Sequence, residues 1–132
     1  MRQIKSVFGS LIISFFFTFG LLAPSVMANE NSQELKNEIR SVISDQIQAF
    51  AAKDVDRAFY HASASIKKMF KNSLTFGSMV KNSYPMIWAP KSYQFLQTSV
   101  NFNSAVQRMM FTDSLGQIHF FDYAMERAEK RW

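Results

Sequence analysis

The chain has 132 residues, 48% of them hydrophobic, and its 15 basic and 10 acidic side chains give a formal charge of +5. That length suits one compact domain and is too short for two. With no cysteine, disulfides, thiolate metal sites, haem attachment and cysteine catalysis are excluded; His61 and His119 lack ligand spacing, so neither a metal nor any other cofactor is predicted.

Residues 1–28 read as a secretory signal peptide. Arg2 and Lys5 give a positive start, Val7 to Leu22 form an apolar run, Pro24 stops it, and Val26-Met27-Ala28 offers a small-residue cut site. The alternative is an uncleaved anchor, but a membrane span takes about 20 apolar residues and this run is shorter. Either way the protein is exported, to the periplasm or as a secreted protein, and cleavage after Ala28 leaves residues 29–132 as a single domain with no membrane attachment. Arg2 and Lys5 are the leader's only charges, so their removal lowers the formal charge from +5 to +3. That is too little to predict nucleic-acid binding.

Asn31 or Ser32 can cap a first helix, with Glu34 in capping-box spacing from Asn31. Leu35, Ile39, Val42, Ile43, Ile47 and Phe50 then recur at helical intervals, which predicts an amphipathic helix of about five turns ending near Lys53. Asp54 can cap a short helix through Ala62, and Ile66 to Phe70 reads as another helical turn. From Thr75, the residues Phe76, Met79, Val80 and Tyr84 share one face until Pro85, which ends the helical half.

Strands are predicted after Pro90, over Ser92 to Asn101, Ala105 to Thr112 and Gln117 to Arg127. Asp113-Ser114-Leu115-Gly116 fits a type I turn followed by a left-handed glycine. That turn pairs Thr112 with Ile118, Met109 with Phe121, Gln107 with Tyr123, and Arg108 with Asp122 as an opposite-charge pair. One face then gathers Met109, Phe111, Phe121, Tyr123 and Met125. The prediction is α+β, with N-terminal helices packed on a curved antiparallel sheet.

These elements carry a resemblance. Gln48-Ala49-Phe50 with Lys53-Asp54-Val55-Asp56-Arg57-Ala58-Phe59 resembles the opening helices of the nuclear transport factor 2-like (cystatin-like, SnoaL-like) superfamily. Phe76-x-x-Met79-Val80-x-x-x-Tyr84-Pro85, Gln107-Arg108, Asp113-x-x-Gly116 and Tyr123 are together similar to the family named domain of unknown function 4864, from about residue 39 onward. The resemblance implies a cone whose sheet and helices enclose a pocket. It also implies one more strand after the final tryptophan; on that comparison either the sequence is truncated at Trp132, with the final strand missing, or Gln117 to Arg127 lie nearer an open edge.

For such a pocket the lining candidates are Tyr60, Met79, Tyr84, Trp88, Met109, Phe111, His119, Phe121 and Tyr123. Each has a plainer reading: His119 as a rim residue beside the turn, Tyr123 as a packed ring, Tyr84 as a helix-end anchor, Trp88 as a plug. Asp122 reads as the ion-pair partner of Arg108, and no catalytic residue is assigned. Glycine loops for phosphate and nucleophile elbows are absent from the sequence. The reading is an exported, non-catalytic module that binds a small apolar ligand or assembles, for example as a homodimer. The alternative is a small lyase, isomerase or hydrolase acting on an apolar substrate in the pocket.

Overall fold

The structure is a computed structural model that describes residues 25–132, with side chains from residue 29 onward. Residues 1–24 of the expected leader therefore lie outside the described residues. Five helices, α1 (Ser25–Ala51), α2 (Val55–Tyr60), α3 (Ala64–Phe70), α4 (Ser73–Ser83) and α5 (Pro85–Trp88), precede three strands, β1 (Ser92–Val100), β2 (Ser104–Thr112) and β3 (Ile118–Glu126). The strands form one antiparallel sheet in the order β1-β2-β3. The protein is α+β, helices first and sheet second.

Helix α1 begins upstream of the predicted cap, so Asn31 and Ser32 lie inside it. Residues 29–34 are exposed, and no packing marks a start there. The buried stripe is the expected one, with Ile39, Ile43, Ile47 and Phe50 at most 2% exposed. The helix ends in paired reverse bonds, Lys53 N–H to the Phe50 carbonyl and Asp54 N–H to the Ala49 carbonyl, both 2.9 Å. They place Lys53 at φ 60°, where glycine is usual.

The short helices are set by their caps. Asp54, Ser63 and Asn72 accept from the backbone N–H three residues on, and so start α2, α3 and α4. Tyr84, at φ −134° and ψ 57°, leaves the helical region before Pro85 as predicted. Pro85 does not end the helical half, however. It occupies the first turn of α5, where a proline lacks no needed N–H.

Asp45 ties α1 to α2. Its carboxylate accepts from Arg57 Nη2 and from Arg57 Nε at 3.1 Å, and it meets His61 Nε2 at 2.5 Å. Those bonds, Arg57 first, hold Asp45 at about 2, below the ordinary 3.8. Helices α2 and α4 approach so closely that a Cβ on Gly77 would lie 2.5 Å from Val55 Cγ1. Phe76 beside it meets Phe50, Phe59 and Phe70, with ring centroids 5.3 to 5.8 Å apart.

The hairpin has the predicted register, Thr112 opposite Ile118 through Arg108 opposite Asp122. Gly116 sits at φ 83° and donates to the Asp113 carbonyl. Arg108 reaches Asp122 through two parallel bonds of 2.9 and 3.0 Å on the outer face. Inward, Met109 and Phe111 are fully buried and share one apolar cluster with the α1 stripe.

Gln107 is the one fully buried polar side chain among the described residues. Opposite it, β1 carries a bulge: Phe95 pairs with Met109 and Thr98 with Gln107, so Leu96 and Gln97 together face Arg108. The Gln107 amide donates to the Leu96 and Gln97 carbonyls at 3.3 Å and to the Arg108 carbonyl at 2.8 Å, while the Thr98 hydroxyl donates to its oxygen. The side chain thus supplies the hydrogen bonds that the bulge removes from the ladder.

Two outcomes follow from these contacts. Gln107→Leu strands the bulge carbonyls and the Thr98 hydroxyl, and urea unfolding should show a loss of about 3 kcal/mol. Asp45, lowered in the fold, contributes stability that is complete above its ordinary 3.8 and is lost as pH falls through about 2. Acid titration of Asp45→Asn should therefore show a shallower fall of stability over that window than the parent chain.

Candidate functional site

Strand β3 is an edge strand, and beside it lies an apolar cleft of about 350 Å3. Four consecutive β3 residues, Phe121 to Ala124, line it. Successive side chains alternate between faces, so the cleft lies along the strand's edge and not under one face. The Asp113 N–H bond to the Gln117 carbonyl sets the alternation of the ladder. By that alternation Asp122 and Ala124 direct their backbone N–H and C=O away from β2, into the cleft.

The facing walls come from the helices: Gln46 and Phe50 of α1, Ile66 of α3, Phe76, Met79 and Val80 of α4, and Ile87 of α5, with Tyr84 at the junction of α4 and α5. Tyr84 is 40% exposed and stands edge-on to Phe121, with centroids 5.9 Å apart. Phe111 packs behind both β3 rings, 5.9 Å from Phe121 and 6.4 Å from Tyr123.

Among the polar residues of the lining, Tyr123 stands apart. Its hydroxyl is buried and has no hydrogen-bond partner. Burial raises its pKa above the ordinary 10, so the group stays protonated and remains a donor. An orphaned hydroxyl in an apolar wall is unusual, because buried polar groups are nearly always paired. Asp122, the only carboxylate residue of the lining, has its side chain held by Arg108 on the opposite face, which lowers its pKa.

Of the nine residues singled out from sequence, Met79, Tyr84, Phe121 and Tyr123 meet in this cleft. Met109 and Phe111 are core, and Trp88 packs on Phe50 at 5.7 Å. His119 turns to the hairpin, where Nε2 meets Asp113 Oδ2 at 2.8 Å. That bond, with the Gln117 N–H, lowers the Asp113 pKa. Tyr60 is 56% exposed and lines a second cleft, between α2, α3 and the end of β3. Among the described residues no group of three or more acidic, histidine or cysteine side chains could hold a metal ion.

Sequence reasoning missed Gln46, Ile66, Ile87 and the edge backbone of Asp122 and Ala124. Gln46 and Ile66 belong to helix faces that the apolar pattern marks. Ile87 lies in the helix that Pro85 opens, and the backbone groups become visible only once β3 is known to be an edge.

Tyr123→Phe removes the orphaned hydroxyl and keeps the ring. Its unfolding free energy in urea should equal the parent's or exceed it by about 1 kcal/mol; a clear loss would mean that the hydroxyl has a partner in the empty protein.

No curated protein matches the chain. Among solved structures, the chain is similar to a Campylobacter jejuni protein provisionally named an NTF2-like transpeptidase, at 15% identity and a TM-score of 0.37 over 77% of this chain and 94% of that one. The profile of the domain of unknown function DUF4864 matches residues 32–132, which include every element of the fold except the first turns of α1. The chain belongs to the DUF4864 family.

Proposed function

We propose that this is an exported binding module whose edge cleft holds a small, mostly apolar molecule bearing one hydrogen-bond acceptor. The observation that carries this reading is the buried Tyr123 hydroxyl, a donor without a partner in a mostly apolar wall. An acceptor on the ligand supplies that partner, while the Phe50, Phe76, Met79 and Phe121 side chains take the apolar body. Met79 lets the wall adjust to ligand shape. The cleft is at the small end of ligand pockets, which limits the ligand to roughly the size of a single ring system.

The lining offers binding chemistry and little acid–base chemistry, since its one carboxylate is engaged by Arg108. This favours binding over the alternative of a small lyase, isomerase or hydrolase. Export rests on the leader pattern of residues 1–28. Residues 29–34, which directly follow a cut after Ala28, are exposed.

One feature favours assembly as a second role. The outer face of the sheet exposes Phe120 (62%), Ile118 (56%) and Val106 (43%), with Met110 paired to Phe120. A second copy of the chain covering this face would form a homodimer.

Native mass spectrometry of the exported protein tests all of this at once. The expected species begins at Asn29 and releases a small apolar molecule with an acceptor group, which Tyr123→Phe retains about tenfold less well. An empty protein, with equal ligand retention in the variant, would overturn the binding reading. A monomeric mass would overturn the homodimer.

A further inference from the structure

The second cleft differs from the first in its charge. It has a volume of about 300 Å3 and lies where α2 and the start of α3 meet the end of β3 and residues 127–132. Its walls include Tyr60, His61, Lys67, Arg127, Arg131 and Trp132. Three of these are cations, and none of the three forms an ion pair among the described residues. Glu126 is the only carboxylate residue in the lining.

The cations are held in place by aromatic faces. Lys67 Nζ lies 5.5 Å and the Arg131 guanidinium 4.4 Å from the Tyr60 ring centroid, and the Arg127 guanidinium is 5.6 Å from that of Trp132. Lys67 also donates to the Tyr60 carbonyl at 2.8 Å, which fixes its ammonium at the wall. His61 is clamped by Asp45 through Nε2, so Nδ1 is the ring nitrogen left without a partner.

Trp132 supplies the independent observation. It is 8% exposed, belongs to the core cluster and lines this cleft, yet its indole Nε1 is buried with no acceptor. Unpaired cations and an indole N–H without a partner therefore share one small cavity. An anionic oxygen ligand answers all of them, since it accepts from each donor and offsets the cations.

We propose that this cleft is a binding site for the oxyanion group, carboxylate or phosphate, of a small organic molecule. Lys67, Arg127 and Arg131 provide the charge, and the Trp132 indole N–H a directed donor. The site shares only Ala124 with the lining of the apolar cleft and does not depend on the ligand proposed there.

The test is a 1H–15N titration of the full chain with benzoate, phenyl phosphate and neutral benzyl alcohol. The chain has two tryptophans, so Trp88→Phe assigns both indole N–H signals. Expected is a saturable shift of the Trp132 indole signal with at least one anion, none with benzyl alcohol, and little movement of Trp88. The tighter of the two anions identifies the group. Added salt should weaken binding, and Lys67→Gln or Arg131→Gln should weaken it about tenfold each while the spectrum stays dispersed. No saturable Trp132 shift with either anion, or an equal response to benzyl alcohol, would overturn the proposal.

Discussion

The register of the β2–β3 hairpin is the constraint from which the rest of the molecule follows. Sheet side chains have period two, so a one-residue slip of β3 against β2 would send Phe121 and Tyr123 to solvent and bring Asp122 inside. Two devices prevent the slip. The Asp113–Gly116 turn needs a positive φ at its last residue and finds glycine there. The bidentate Arg108–Asp122 bridge forms only when those residues face each other. The bridge is exposed and adds little stability; its value lies in selecting among registers. With that register fixed, the α1 stripe has an apolar floor to pack on, and both clefts take their β3 walls from the same strand.

The hairpin was legible because turn chemistry, alternation and charge pairing all point to one register. The α1 stripe was legible because six apolar residues repeat at the helical period. The start of α1 was not, because a capping-box pattern sits within exposed turns that nothing interrupts. Pro85 was read as a terminator, although the same fixed φ suits a first helical turn. Gln107 was seen as part of a motif and not as a buried hub, because its role depends on a bulge in β1 that the sequence marks only by the change of apolar phase from Tyr93 and Phe95 to Leu96 and Val100. The site was half legible: sequence period assigns Phe121 and Tyr123 to the inner face, but not that β3 is an edge or that helices leave space beside it. Trp132 was considered only as an end point, and its burial against Arg127 belongs to tertiary packing.

The two clefts share β3 but divide its chemistry. Along the middle of the strand, aromatic rings and outward-facing backbone groups of Asp122 and Ala124 meet apolar helix faces. Toward its end, Met125 to Arg127 meet residues of α2 and α3 and His61, which Asp45 anchors together with Arg57. Each cleft contains one buried donor without a partner, Tyr123 Oη in the first and Trp132 Nε1 in the second. With Arg40 Nε, these are the buried side-chain polar atoms without a partner among the described residues, and each of the two lies in a residue that lines a cleft where added atoms would be accommodated.

The most direct measurement is the cross-strand nuclear Overhauser pattern of the hairpin. With Asp113 bonded to Gln117, Arg108 and Asp122 fall at a close-approach pair. Their Cα protons should show a strong mutual effect, and the Phe121 ring should contact the Tyr84 ring. A strong effect from Arg108 to Phe121 instead, with no contact between the two rings, would contradict the account, because the inner face and both β3 walls would then be made of other residues.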